Sequence, residues 1–188
     1  MPSNQPIGIF DSGFGGLTVA RAIIDLLPSE DIIYFGDTSR YPYGPQPLEE
    51  IKSYSQQISD YLIAEHDVKM IVIACNTASA AAEDDLRNST EIPIVGVITP
   101  GAQAVAEVSS TKKIGVIGTV GTINSQAYEN AIKGISPGNI ELVSVACPGF
   151  VEFVERGEFE GEQVRILADR LLAPVIQADV DALLLGCT

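Results

Sequence analysis

Two cysteines in this sequence stand where reactive groups are placed in α/β proteins. Cys75 follows the apolar run 71–74, and Cys187 follows the run 182–186. Short apolar runs are typical of buried strands in parallel sheets. Such sheets bind ligands at the carboxyl ends of their strands. We therefore predict that both thiols lie at a ligand-binding edge.

Polar residues follow each cysteine and favour the start of a helix. Either Asn76 or Thr77 can cap the helix after Cys75, since both side chains accept hydrogen bonds from free backbone N–H groups. A thiol beside a helix N-terminus meets the positive end of the helix dipole. We therefore expect the pKa of Cys75 to be lowered from its usual value of about 8.5.

Four interpretations of the two thiols remain open at this point. Free cysteines are often plain core residues, and a redox pair would need Cα atoms about 5.5–6 Å apart. A single nucleophile usually has a histidine partner, and the sole histidine, His66, reads as a solvated residue at a helix end. The fourth is proton transfer on two faces of one carbon, which needs two acid/base groups that exchange roles.

The composition narrows the class of protein. The 188 residues carry a formal charge of −14, with pI near 4.2, which argues against nucleic acid and anionic membranes as partners. We expect no signal peptide and no spanning helix, because no apolar run is long enough. Three cysteines without CxxC spacing favour a reducing cytosol over a disulfide framework or a metal site.

Strands and helices alternate along the whole chain. We predict strands at 7–10, 31–36, 71–75, 92–97, 113–118, 140–146 and 182–186, with helices between them. The segment 7–13 resembles 114–119, and an apolar strand ending in a cysteine follows each. We therefore predict two pseudo-symmetric flavodoxin-like α/β domains, 1–98 and 99–188, whose parallel sheets face a shared cleft.

Five short motifs in this order resemble the cofactor-independent aspartate/glutamate racemase family. They are Asp11-Ser12-Gly13-Phe14-Gly15-Gly16, Pro42-Tyr43-Gly44, Ala74-Cys75-Asn76-Thr77-Ala78, Thr119 with Thr122, and Leu185-Gly186-Cys187-Thr188. The resemblance implies that Cys75 and Cys187 are the acid/base pair and that Asp11 assists the first thiol. It also implies that Glu155 is an acidic residue on the second side.

The same resemblance implies a set of substrate ligands and no cofactor. The implied ligands of the substrate's carboxylates and ammonium are Ser12, Pro42, Tyr43, Gly44, Asn76, Thr77, Thr119, Thr122 and Thr188. Structural roles compete with these assignments. Asp11 and Ser12 could serve only as a helix cap, Tyr43 as packing in its loop, and the glycines at 13, 15 and 16 as turn residues. Cys147 reads as structural.

Two departures from the family pattern stand out. Gln46 occupies a position that is usually basic, and the chain stops at Thr188, where members of the family continue. We expect the chain to be truncated, with apolar surface exposed on the first sheet that promotes association; a homodimer is one candidate assembly.

The resemblance implies interconversion of L- and D-glutamate, without pyridoxal phosphate or metal. It further implies a supply of D-glutamate for peptidoglycan in a bacterial cytoplasm. Glutamate is the expected partner, with neither nucleic acid nor membrane. The alternatives are an aspartate racemase or a non-catalytic module that binds amino acids.

Overall fold

The computed structural model describes residues 4–136, 138 and 140–188. In this part of the chain the strands are β1 (Ile7–Asp11), β2 (Ile32–Gly36), β3 (Met70–Ile73), β4 (Ile94–Gly96), β5 (Lys113–Gly118), β6 (Glu141–Ala146) and β7 (Ala182–Gly186). The helices are α1 (Leu17–Leu26), α2 (Leu48–His66), α3 (Asn76–Ser89), α4 (Ile98–Val108), α5 (Val120–Asn124), α6 (Ala127–Ile135), α7 (Phe150–Glu155) and α8 (Glu162–Gln177). Among these helices, none is long and apolar enough to span a bilayer.

The strands form two wholly parallel sheets with related topologies. The first has the order β2-β1-β3-β4 and the second β6-β5-β7. In each sheet the first strand of the repeat lies between the second and the third, which is how a flavodoxin-like sheet begins. The predicted α/β class with two similar parallel sheets is therefore confirmed. Cys75 and Cys187 follow β3 and β7, which are the equivalent strands of the two repeats.

The chain divides into two compact units. One contains the residues up to Ile98 together with Cys187 and Thr188, and the other contains residues 99–186. The last two residues, which the sequence assigned to the second domain, therefore pack with the first unit. That each unit is a domain in its own right stays a prediction.

The core of the first unit has a cluster on each face of its sheet. Ile71, Ile73 and Cys75 alternate toward the cluster that contains buried residues of α2 and α3. Val72 and Ala74 point the other way, into the cluster with Ala20 of α1. This two-residue period carries on past the end of β3. It turns the side chain of Cys75 toward the apolar α2–α3 side.

Several strand bounds differ from the sequence prediction. β3 ends at Ile73, before the predicted end at residue 75, and β4 is limited to Ile94–Gly96, shorter than the predicted 92–97. α5 is a short separate helix, and the Thr119 side chain caps its start by accepting a hydrogen bond from the Thr122 amide. α8 continues through Pro174, since the Pro174 carbonyl still accepts from the Ala178 amide and the following residue packs in the core.

Candidate active site

Cys75 lies between the end of β3 and the start of α3. It is itself the N-cap residue of α3, without a side-chain cap bond, and the helix already includes Asn76 and Thr77. The prediction that Asn76 or Thr77 caps this helix is therefore wrong, because both residues occupy the first helical turn. The thiol is 5% exposed and donates to Ser12 Oγ at 3.7 Å. Cys75 and Ser12, from two neighbouring strand ends, are thus brought together.

Burial raises the pKa of Cys75 to about 12, with the negative charge of Asp11 as the second cause. The Ala78 amide, and the Ser12 hydroxyl once the sulfur is ionised, can donate hydrogen bonds to the thiolate and so lower this pKa, as the helix N-terminus predicts, but burial and Asp11 outweigh them. The predicted net lowering is therefore wrong. The sequence revealed the helix start but not how fully the thiol would be removed from water. In this environment the protonated thiol is the resting form.

Asp11 ends β1 as a buried carboxylate. Its Oδ2 accepts hydrogen bonds from the Gly13 amide at 2.9 Å and the Gly16 amide at 3.1 Å. Gly16 is the N-cap residue of α1, so Asp11 does hold a helix start. Burial raises the pKa of both Cys75 and Tyr34, and the negative charge of Asp11 adds to each of these shifts. The carboxylate therefore serves the turn and sits within electrostatic range of the thiol.

Cys187 and Thr188 join this edge from the other end of the sequence. A charge on Cys187 would raise the pKa of Cys75, which sets the two thiols within electrostatic range of each other. Thr188 Oγ1 donates to the Ala74 carbonyl at 3.0 Å. Cys75 is buried and Cys187 is exposed, and none of the cysteines forms a disulfide. Both cysteines therefore belong to one compact unit, and their role as an acid/base pair stays a prediction.

The loop after β2 places Pro42, Tyr43 and Gly44. The Tyr43 hydroxyl is buried and donates to Asp37 Oδ2 at 2.5 Å, and the same oxygen pairs with Arg40 Nε at 2.6 Å. Burial and this bond raise the pKa of Tyr43, and a charge on Cys75 would add to that shift. The Tyr43 ring therefore packs in the core of the first unit, and its hydroxyl proton is engaged within the protein by Asp37.

Asp37 and Gln46 were not predicted as site residues. The signal for Asp37 is its position directly after β2, which parallels that of Asp11 at the end of β1. Gln46 donates through Nε2 to the carbonyls of Arg40 at 2.5 Å and Pro42 at 2.7 Å. The amide of Gln46 therefore holds two positions of this loop together.

The remaining predicted residues lie in two places. Asn76 and Thr77 are buried at the start of α3, within the first unit. Thr119 and Thr122 belong to the second unit, where their hydroxyl oxygens are 3.0 Å apart. Glu155 is an exposed residue at the end of α7 in the same unit. Within the described ranges, no cluster of His, Cys, Asp or Glu could hold a metal ion.

Comparisons with known proteins agree with the motifs. A family model described as Asp/Glu/Hydantoin racemase matches residues 8–188. A glutamate racemase from Parafrankia sp. is 50% identical over 186 residues, covering 99% of this chain and 66% of that protein. The chain spans about two thirds of the length of the curated relatives it matches.

Solved structures share the fold closely. A glutamate racemase isoform from Bacillus anthracis matches with a TM-score of 0.92 at 43% identity, covering 97% of this chain and 68% of that one. The glutamate racemase from Francisella tularensis, solved in complex with D-glutamate, matches with a TM-score of 0.90 at 43% identity, over 98% and 68% of the two chains. The chain belongs to the Asp/Glu/Hydantoin racemase family.

Proposed function

We propose that this chain carries the active thiols of a racemase that interconverts L- and D-glutamate. The observation that carries the proposal is the pairing of Cys75 and Cys187 within one compact unit, close enough for the charge of one to act on the other. Relatives about 50% identical are glutamate racemases, and a similar solved structure holds D-glutamate. These likenesses favour glutamate over aspartate as the substrate.

The proposed reaction is a proton exchange without oxidation or reduction. One cysteine thiolate takes the α-proton: the C–H bond breaks, an S–H bond forms, and the electron pair enters the substrate as a carbanion delocalised into its carboxylate. The other thiol then gives its proton to the opposite face of the carbon and becomes the thiolate. The two sulfurs thereby exchange protonation states, and the reverse reaction uses the same two groups in the opposite order.

The raised pKa of Cys75 sets a condition on this reaction. Burial and Asp11 favour the protonated thiol, so Cys75 begins as the proton donor. For it to act as the base, a positive group must offset the charge of Asp11 and of the thiolate. The substrate's ammonium has the required sign, and an opposite charge within about 4–6 Å favours the ionised form of a group. Substrate binding would in this way prepare Cys75 for deprotonation.

Other residues take roles implied by the family. Asp11 assists proton traffic at Cys75, and Glu155 is the acidic residue assigned to the second thiol. The ligands for the substrate's carboxylates and ammonium come from hydroxyl and backbone groups, with no metal or organic cofactor. They are Ser12, Pro42, Tyr43, Gly44, Asn76, Thr77, Thr119, Thr122 and Thr188. The proposal further includes a cytoplasmic location, a supply of D-glutamate for peptidoglycan, and a homodimer as its assembly.

Incubation with L-glutamate in deuterated water tests the proposal. Racemisation predicts D-glutamate that carries deuterium at the α-carbon, measured by chiral separation and mass spectrometry, and the same from D-glutamate in reverse. L-aspartate, run in parallel, tests the choice of substrate. Binding of glutamate without any exchange of its α-proton would instead identify a non-catalytic amino-acid-binding module and would overturn the proposal.

A further inference from the structure

The residue after Cys187 is held by the residue before Cys75. Thr188 Oγ1 donates to the Ala74 carbonyl at 3.0 Å. Thr188 also contacts Gly15: a Cβ atom added at Gly15 would lie only 2.4 Å from the Thr188 carbonyl carbon. The backbone of Thr188 therefore rests directly on Gly15. Two independent contacts hold this one residue against the first unit.

Ala74 is a fixed point to which Thr188 can attach. Its side chain is fully buried, and its amide donates to the Phe10 carbonyl at 2.8 Å. It continues β3 and is bonded to Cys75, so its carbonyl cannot move far without moving that thiol. Thr188 is bonded to Cys187 in the same way. The hydrogen bond therefore links two segments that each carry a thiol one residue away.

We propose that Thr188 is a positioning residue, whose hydroxyl on the Ala74 carbonyl and whose backbone on Gly15 fix Cys187 in register with Cys75. The proposal rests on the function proposed above and gives Thr188 a role beyond ligand binding. Proton transfer from carbon requires near contact between sulfur and the α-proton, and a 1 Å misplacement can cost about 10²-fold in rate. A loosened Thr188 would displace Cys187 while leaving Cys75 in its buried place.

Substitution of Thr188 by Val and by Ser separates the hydroxyl from the shape of the side chain. Thr188→Val keeps the branched shape but loses the donor, whereas Thr188→Ser keeps the donor. We expect Thr188→Val to lower kcat by roughly ten-fold to 10²-fold, with a smaller change in KM, and Thr188→Ser to restore most of the loss. The matched control is Thr90→Val, beyond the end of α3, which should leave kcat unchanged.

The isotope effect gives a readout that general destabilisation would not move. With α-deuterated substrate, Thr188→Val should raise the primary isotope effect for the enantiomer whose proton Cys187 removes and leave the other enantiomer near its wild-type value. That enantiomer is identified as the one that loses solvent exchange in Cys187→Ser. Equal changes for both enantiomers, or unaltered kinetics in Thr188→Val, would overturn the positioning role.

Cross-linking tests the position of the thiols without any activity. In a Cys147→Ser background at alkaline pH, where a fraction of Cys75 is ionised, a short bis-methanethiosulfonate reagent should first react with exposed Cys187 and then capture Cys75. Mass spectrometry would measure the fraction of chains with both thiols in one cross-link. We expect a several-fold lower fraction in Thr188→Val and in Gly15→Ala, with Thr188→Ser close to the parent protein.

The two experiments fail separately. If the protein racemises no amino acid but the cross-link depends on Thr188 as expected, the proposed function fails and the positioning of Cys187 stands. If Thr188→Val cross-links as well as its parent does, the positioning role is overturned even in an active racemase. Gly15→Ala is scored only if its circular dichroism spectrum matches that of the parent, and Thr188→Val decides the matter otherwise.

Discussion

The Gly16 amide donates a hydrogen bond to Asp11 Oδ2 at 3.1 Å, and Asp11 lies so close to Gly16 that a side chain at position 16 would not fit. A Cβ atom at position 16 would lie 2.5 Å from the Asp11 Cβ and 2.9 Å from the Ala74 Cβ. The start of α1 is therefore packed against the carboxylate and against the residue that precedes Cys75. Its glycine is required by close approach of neighbouring side chains.

Gly16→Ala should destabilise the fold through overpacking. A methyl group at this position must push Asp11 or Ala74 aside, and insertion of a methyl group into a well-packed site typically costs about 1–3 kcal/mol. Gly134→Ala is the matched control, because Gly134 lies in α6 with no atom near the added methyl group. That variant should gain about 0.5–1 kcal/mol from the greater helix propensity of alanine. Urea unfolding of both variants measures the difference, and similar stabilities would contradict the contact.

Asp11→Asn should separate proton handling from support of the turn. An Asn side chain can still accept from the Gly13 and Gly16 amides, so the fold should be kept. If the carboxylate assists the thiol of Cys75, kcat should fall by about 10²-fold or more, with substrate binding largely retained. Steady-state kinetics and binding calorimetry measure the two effects. Near-normal turnover would show that Asp11 only stabilises the turn that leads into α1.

Cys75→Ser and Cys187→Ser should each abolish racemisation in both directions. A serine hydroxyl is far less acidic than a thiol, so it cannot supply a base near neutral pH. The remaining thiol can still remove and return a proton on its own face. Each variant should therefore retain slow deuterium exchange into one enantiomer, and that enantiomer should differ between the two. Racemisation by either variant at a rate near that of the parent protein would show that Cys75 and Cys187 are not the acid/base pair.

Tyr43→Phe should destabilise the loop after β2. The substitution removes a buried hydrogen bond to the Asp37 carboxylate, and bonds to charged groups contribute about 1.5–3 kcal/mol. Tyr54→Phe is the control, since the Tyr54 hydroxyl meets Glu50 at an exposed position and its loss should change stability by less than about 0.5 kcal/mol. Chemical denaturation compares the two, and equal losses would show that the buried bond contributes little.

Alkaline pH should weaken the fold through Cys75. Burial raises its pKa from the ordinary thiol value of about 8.5–9 to about 12, so the native state holds this proton more tightly than the unfolded chain. The stabilisation from this group is complete below pH 9 and is lost as the pH rises toward 12, with a slope of at most about 1.4 kcal/mol per pH unit. Unfolding free energies measured across this range should fall less steeply in Cys75→Ser. Parallel curves for the two proteins would contradict the buried thiol.

The repeating βαβ pattern was readable from the sequence because apolar periodicity reports burial directly. The apolar runs before Cys75 and Cys187 predicted that both thiols lie at the carboxyl edge of a sheet. In the structure, both cysteines follow equivalent strands of the two repeats. The predicted lowering of the Cys75 pKa was wrong for a physical reason. A helix start can be seen in a sequence, but the depth of burial depends on the packing of α2 and α3 against β3.

The hydrogen-bond partners of the site residues also could not be predicted from the sequence. The bond from Thr188 to Ala74 joins residues separated by 114 positions, and no local pattern indicates such a contact. The bond from Tyr43 to Asp37 spans six positions within an irregular loop. Loop conformations depend on many weak local preferences, and here an amide from Gln46 completes the arrangement. The sequence could therefore indicate which residues belong to the site, but the structure was needed to identify their hydrogen-bond partners.

The return of the chain to its first unit at Cys187 has a consequence for folding during synthesis. Thr188 completes contacts with Gly15 and Ala74, so the first unit cannot reach its final packing until the ribosome has made residue 188. The first half must wait, partly formed, while the intervening 88 residues of the second unit emerge. At about 5–20 residues per second, this delay lasts on the order of 4–18 seconds. During that interval the nascent protein depends on contacts within residues up to Ile98 alone, with its second thiol still to be synthesised.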